Sequence, residues 1–356
     1  MHLIISIVVA ILVAWAFRRR SKTDPLGLWR VAACVVAALL PHVDKAFYWV
    51  SPALGLGYQF TFMWSALLAP LFAFAIAQGF SWLSGGKLPE SKRTWQRFFV
   101  PVMATMAFNL LLAVLSENGV ALLAPLWFGR FSFSIVHSFD VGLLVGLVVF
   151  ALLALSIGSF RTDAGRITLA LLIVYVGVVG TFKLKAYNVG ERYAAGMDLQ
   201  VEKIYTLPQP LSPFYWRVVV LTKDNRLHDT RISLKRDNVV PITPDMNTVE
   251  KTKASYMPVH GAVWRIYNRF GLDNPAFLKK AWQSKISQSL GWASRFAVYQ
   301  KMRIYEGMQC AQLKDLRFEG SRSEHLGTYL LCHGKDSWKA YQAADDESFL
   351  QLDVIY

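Results

Sequence analysis

Acidic side chains are scarce in this chain, 24 Asp and Glu against 38 Lys and Arg, and charged residues of both signs make up only 17% of its 356 positions. An average soluble domain carries about 25% charged residues, so a conventional solvated surface over the whole length is excluded. Cysteine is rarer still. Three residues, Cys34, Cys310 and Cys332, rule out a disulfide-dense secreted scaffold, and none sits in a Cys-x-x-Cys pair. There is also no Gly-x-Ser-x-Gly, no phosphate-loop glycine pattern and no His-Glu-x-x-His, which removes the common serine-hydrolase, nucleotide-binding and zincin signatures. Low-complexity linkers and internal repeats are missing as well. Gly55-Leu-Gly57 is a loop glycine pair and carries little signal.

What the first half has in abundance is uninterrupted apolar sequence. Runs read Met1 to Phe17, Trp29 to Val50, Tyr58 to Leu83, Phe98 to Leu115 and Val141 to Phe160, with a sixth from Ile167 to Leu184. About 20 apolar residues cross about 30 Å of hydrocarbon as a helix. The fold class expected is therefore an α-helical polytopic membrane bundle of six spans over residues 1–185. Basic residues alternate between the loops: Arg18, Arg19, Arg20 and Lys22, then Lys87, Lys92, Arg93 and Arg97, then Arg161 and Arg166. The opposite loops hold Lys45 and Arg130. Positive loops stay cytoplasmic, which places the N-terminus and, after six crossings, the C-terminal region on the outer side. The first run reads as a retained helix, because its charges follow the apolar stretch and no small-residue cleavage site comes after it.

Beyond about Ala186 the apolar runs shorten, and charged, proline and turn-forming residues reach soluble-domain frequency. Residues 186–356 are expected to form an exoplasmic α+β domain with an antiparallel sheet. Trp216 to Leu227 reads as strand and turn with Arg231 to Leu234 as a partner, Pro275 to Gln288 as an amphipathic helix, and Ala297 to Tyr305 and Gly327 to Cys332 as strands. Cys310 and Cys332 fall on neighbouring strand-like segments in a compartment where disulfides persist, so a bond between them is expected. Cys34, within a span, reads as a small buried hydrophobe.

The net charge of +14 raises nucleic acid as a partner, but the cytoplasmic loops and their anionic lipid account for much of it, and no nucleic-acid motif accompanies it. The bilayer is the expected partner, and nucleic acid is not. Twelve Trp and fourteen Tyr suit membrane interfaces.

Candidate chemistry gathers toward the outer ends of the spans: His2, then His42 and Asp44, then Gln59, then Asn109. Ionisable groups inside a membrane are costly and commonly mark function, and His and Asp are usual ligands of divalent metals. Against that, His42 and Asp44 also suit a plain helix end. Likewise His137 suits an interface near Trp127, and Asp140 suits the cap of the fifth span.

The order of these segments resembles the YdjM-like, LexA-binding family of inner-membrane-associated, metal-dependent hydrolases of bacteria. Leu40-Pro-His-Val-Asp44 is similar to the family's Leu-Pro-Asp-x-Asp, and Tyr58 to Ser65 to its Tyr-His-Arg-Gly-x-Thr-His-Ser. Phe108 to Ala113, with Ser116, Gly119 and Leu123-Ala-Pro125, resembles its Ser-His-Leu-Leu-Leu-Asp, Thr, Gly and Leu-x-Pro. Gly129-Arg-Phe-Ser, the Asp140 region, Pro208 to Val220 and Asp315-Leu-Arg-Phe318 continue in register. The resemblance implies a metal site, and this chain departs from it at the ligands. His42 stands for the first Asp, Gln59 and Trp64 for the two His of the third span, and Asn109 and Ala113 for the His and Asp of the fourth. Only His2, Asp44 and Asp140 match charged or metal-binding positions. Trp and Ala supply no ligand, and a catalytic zinc needs three protein ligands or more. The resulting expectation is a degenerate member with no cofactor, a non-catalytic scaffold or accessory subunit that binds a protein or lipid partner. The alternative is a membrane hydrolase of a lipid-linked or envelope substrate, holding zinc or another divalent metal at a rearranged site of His2, His42, Asp44 and Asp140.

Overall fold

The computed structural model describes residues 2–17, 26–47, 55, 58–84, 95–138, 140–156, 161–271, 273–284, 286–287, 295–319, 324–334, 337–345 and 348–352. The basic loop residues Arg18 to Lys22 and Lys87 to Arg93 lie outside the described residues.

Among the described residues, six apolar helices occupy the first half: α1 (His2–Ala16), α2 (Gly27–Leu39), α3 (Ala69–Leu83), α4 (Gln96–Leu115), α5 (Val141–Ser156) and α6 (Arg161–Gly196). Three stretches, Gly27–Ala46, Gln96–Leu115 and Arg166–Gly196, are long and apolar enough to cross a membrane, whereas Leu3–Ala16, Ala69–Leu83 and Val141–Leu153 are apolar but shorter. Two expected spans are trimmed at prolines. α2 gives way to a tighter 3-10 turn, Leu40–Ala46, where Pro41 withdraws a backbone donor. The run from Tyr58 becomes helical only at Ala69, with Pro70 in the first turn, where a missing N–H is harmless.

Alanine explains how α1 to α4 approach one another. Ala10, Ala14, Ala33, Ala37, Ala38, Ala69, Ala73 and Ala77 are buried in one cluster with Cys34, Phe98 and Val102. Ala69, Ala73 and Ala77 recur every four residues and so line one face of α3. Small side chains let helix backbones come close and gain van der Waals contact. Arg30, buried on α2, donates from Nη1 to the Phe17 carbonyl beyond the end of α1 at 3.1 Å. A second cluster joins Ile5, Val9, Leu12 and Val13 of α1 to Leu112, Leu143, Leu147 and Leu172.

The chain divides into two compact units, one of Met1–Asp44, Phe60–Leu184 and Leu207–Tyr215, the other of Lys45–Gln59, Lys185–Thr206 and Trp216–Tyr356. The expected boundary at 185/186 falls inside α6, which runs on to Gly196.

The second unit is built on two five-stranded sheets. The first has the order β1 (Val201–Pro208), β2 (Tyr215–Thr222), β3 (Arg226–Ser233), β4 (Met257–Pro258), with β5 (Arg265–Asn268) antiparallel to β3. The short helix α7 (Thr248–Ala254) between them starts from a capping box of Asn247 and Glu250. The end of α6 lies on this sheet at Gly190, where an added Cβ would meet Ile204 and Val218 side chains at 2.9 Å. The second sheet is an antiparallel meander, β6 (Ala297–Tyr305), β7 (Met308–Asp315), β8 (Thr328–His333), β9 (Trp338–Ala343) and β10 (Phe349–Leu352). Its two faces are both buried. Ala311, Leu313, Tyr329 and Leu331 pack under α8 (Pro275–Gln283) through Leu278 and Ala281. The alternate residues Cys310, Leu330, Cys332 and Tyr341 form a separate cluster with Phe349, as a two-residue period requires. Cys310 and Cys332 stand directly opposite on β7 and β8 and are joined by a disulfide.

A buried charge network ties the two sheets. Arg217 on β2 grips Asp229 on β3 in a bidentate pair, Nε to Oδ1 at 2.6 Å and Nη2 to Oδ2 at 2.7 Å. The same guanidinium donates to the Leu316 carbonyl and to Glu319 Oε2, just beyond β7. Arg231 donates to the same Glu319 Oε2 at 3.0 Å, and Arg265 to its Oε1 at 3.2 Å. Arg217 and Asp229 are each 1% exposed.

Candidate functional site

In the first unit, buried polar groups concentrate around the 3-10 turn Leu40–Ala46, which presents His42 and Asp44. Asp44 is 1% exposed. Its carboxylate lies toward the N–H groups of Thr61, Phe60 and Met63, yet among the described residues neither oxygen meets hydrogen-bond geometry with a partner. The backbone opposite is strained, because Phe60 takes a φ of 61°, a region bulky residues avoid at a cost of order 1–3 kcal/mol. The Phe60 carbonyl accepts from Ala121 N–H at 3.0 Å, which holds that conformation in place. His42 places Nε2 3.4 Å from Ser6 Oγ and meets the Trp64 ring edge-on, centroids 5.6 Å apart.

Trp64 occupies the middle of this region. It is 1% exposed and packs in one cluster with Ala113, Val114 and Val120. Asn109, one turn before Ala113 on α4, is equally buried, and its amide oxygen and nitrogen find no partner among the described residues. Of the positions singled out in the sequence, His2, His42, Asp44, Trp64, Asn109, Ala113 and Asp140 belong to the first compact unit, whereas Gln59 falls in the second. Gln59 bonds its backbone N–H to the Gly55 carbonyl. The side chain of His2, at the start of α1, lies outside what is described.

Asp140 has a different task. Its Oδ1 accepts the Leu143 N–H at 2.9 Å, an N-cap for α5, and its Oδ2 accepts the Tyr175 hydroxyl at 2.7 Å. Both oxygens are engaged within the protein. Asp140→Ala should therefore destabilise the detergent-solubilised protein by about 1 kcal/mol or more, whereas Asp140→Asn should lose less. Thermal unfolding of the two variants checks this, and equal losses would count against capping. His137 lies 3.5 Å from Glu117, which also accepts the Ser138 N–H. Glu117 and Ser6 are polar partners that spacing alone does not pick out. Among the described residues no three His, Cys, Asp or Glu side chains come together as a metal-holding group.

The second unit has a polar concavity of about 470 Å³ at the β2–β3 turn, lined by Asp198, Lys223, Asp224, Arg226 and His228 among others. His228 Nδ1 is 2.9 Å from the Tyr193 hydroxyl, and the Tyr193 ring stacks on Trp264 at 3.7 Å. Burial pushes this imidazole below its ordinary value. Two acids balance two bases in the lining, which selects for no sign of ligand charge.

The chain matches no family model, no curated protein and no solved structure.

Proposed function

We propose that the protein is a multi-pass membrane protein whose YdjM-like centre is degenerate, and that it works as a non-catalytic accessory or scaffold subunit for a protein or lipid partner. The observation that carries this reading is the buried Trp64, packed in one cluster with Ala113. An indole fills space beside an alanine at two positions where the resembled pattern has a histidine and an aspartate. The two departures compensate in volume, as expected of a centre that is kept folded after its ligands are gone.

The chemistry of the described donors favours a reading without a catalytic divalent metal. Asp44 is one anion, Asn109 offers a neutral oxygen, His42 faces Ser6 and Trp64, and Asp140 is spent on capping and Tyr175. A catalytic zinc asks for three good protein ligands around one point. The six apolar helices, the alternation of basic loops and the Cys310–Cys332 bond support a bacterial inner-membrane location with six spans and the second unit on the oxidising, periplasmic side. The alternative, a membrane hydrolase of a lipid-linked or envelope substrate at a rearranged His2, His42, Asp44 and Asp140 site, draws on the two unpartnered Asp44 oxygens.

Elemental mass spectrometry on the purified protein, beside a His42→Ala/Asp44→Ala double variant, separates the two. The scaffold reading expects far less than one metal per chain in both. Near-stoichiometric zinc or manganese that disappears in the variant would overturn it.

A further inference from the structure

The connection between α4 and α5 exposes an unusual amount of apolar surface. Leu126 is 83% exposed, Phe133 59%, Trp127 50% and Phe128 49%. Exposed singly such residues mean little, but four in one short connection exceed what a water-facing surface tolerates without a partner.

The connection is also fixed in place. Phe133 N–H donates to the Val114 carbonyl at 2.7 Å and Ile135 N–H to the Leu115 carbonyl at 2.7 Å. Phe131 and Val120 exchange both backbone bonds, and Ser65 Oγ donates to the Ala124 carbonyl at 2.6 Å. Lys183 of α6 donates to the Phe133 carbonyl. The Trp127 ring folds back over Gly129, where a Cβ would meet it.

These anchors set a depth. The loop backbone bonds to the last turn of α4 instead of projecting beyond it, and it is held by Lys183 at the end of the apolar stretch Ile167 to Leu184 of α6. That stretch rises about 27 Å at 1.5 Å per residue, close to one hydrocarbon thickness. The exposed rings therefore stand level with the boundary between acyl chains and headgroups, where Trp is enriched. The only Lys, Arg, Asp or Glu between Glu117 and Asp140 is Arg130, so little charge opposes burial of this connection in lipid.

We propose that residues Leu126 to Phe133 form a rigid interfacial anchor that inserts Leu126, Trp127, Phe128 and Phe133 among phospholipid acyl chains at one face of the bilayer. The stretch that leads into the anchor is bonded to the backbone around the Asp44 region, through Ala121 to Phe60 and Ser65 to Ala124. The anchor thereby fixes the depth of that polar layer in the membrane. This inference rests on the membrane-spanning reading.

Site-directed spin labelling tests it in full-length protein reconstituted into nanodiscs of equal parts phosphatidylcholine and phosphatidylglycerol. A Cys34→Ala background, kept free of reductant so that Cys310 and Cys332 stay bonded, leaves one introduced thiol. Labels at Leu126→Cys and Phe128→Cys are compared with Val145→Cys on the exposed side of α5 and Asp245→Cys on an exposed loop of the second unit. The expected result is that both loop labels, like Val145, are relaxed by oxygen and lose access to a water-soluble nickel chelate, while Asp245 keeps it. Nickel access at the loop with Val145 still in lipid overturns the anchor alone. Nickel access at Val145 overturns the spanning reading and the anchor with it. Loop labels shielded from both reagents mean a protein cover and overturn the lipid assignment.

Discussion

Arg217→Met is expected to destabilise the folded second unit by about 3–5 kcal/mol, the cost of removing one partner from a buried ion pair and leaving the other uncompensated. Asp229 would keep its charge at 1% exposure with no guanidinium beside it, and Glu319 would lose its closest cation. Removing both ends should restore much of the loss. Arg217→Met/Asp229→Leu replaces two desolvated charges by apolar side chains, a change that is often neutral or stabilising elsewhere. The network also carries a pH signature. Burial alone would raise the Glu319 carboxyl, but Arg217 and Arg231 outweigh it and hold the group below its ordinary value. A carboxylate depressed in the folded state contributes stability above its unfolded value of about 4.3, and that contribution is lost as pH falls through the folded value. Denaturant unfolding of full-length protein at neutral and acid pH reads both effects. A single-variant loss below about 1 kcal/mol would place Arg217 with ordinary surface pairs and refute the network's role.

Replacing Cys310 and Cys332 by alanine should cost about 3 kcal/mol, because the bond closes a loop of 22 residues in the unfolded chain. The loss should not be offset by repacking, since both positions are fully buried beside Leu330, Tyr341 and Phe349. The same drop should follow reduction of the wild-type protein once unfolding exposes the bond. Intact-mass analysis after thiol alkylation, with and without reductant, ties the stability change to the bond. Alkylation of both sulfurs in unreduced native protein would remove the premise, and with it one support for an oxidising compartment around the second unit.

The broad outline was legible because apolar length and two-residue alternation are strong signals. The six helical runs and the strands at Tyr215, Ala297 and Thr328 follow from them. The misread stretch was Tyr58 to Leu68, apolar but not helical. There Phe60 has a positive φ, and Ser65 Oγ takes the N–H groups of Leu67 and Leu68. Pro41 and Pro70 were the available warnings, since each marks where a helix ends or starts. β1, β4, β5, β9 and β10 were not foreseen; β4, β5 and β10 run for only two to four residues, too short for a two-residue alternation to stand out.

The site was legible only in part. His42, Asp44 and Asn109 stand out as polar residues in apolar surroundings. The complementarity of Trp64 with Ala113 does not, because volume matching between distant positions leaves no trace in spacing. The Arg217–Asp229–Glu319 network was equally invisible, as an Arg within a strand reads as surface until its partners are placed around it.

The meander of the second sheet has a consequence for how the domain is assembled. Each of its strands pairs with its neighbour in sequence, so every pairing step closes only a short loop. The Arg217–Glu319 bond, by contrast, joins residues 102 apart. Chain closure over that distance costs about 1.4 kcal/mol more than over the 22 residues between the cysteines. The salt-bridged join between the sheets is thus entropically costlier to close than the disulfide loop, and its enthalpy must offset that difference.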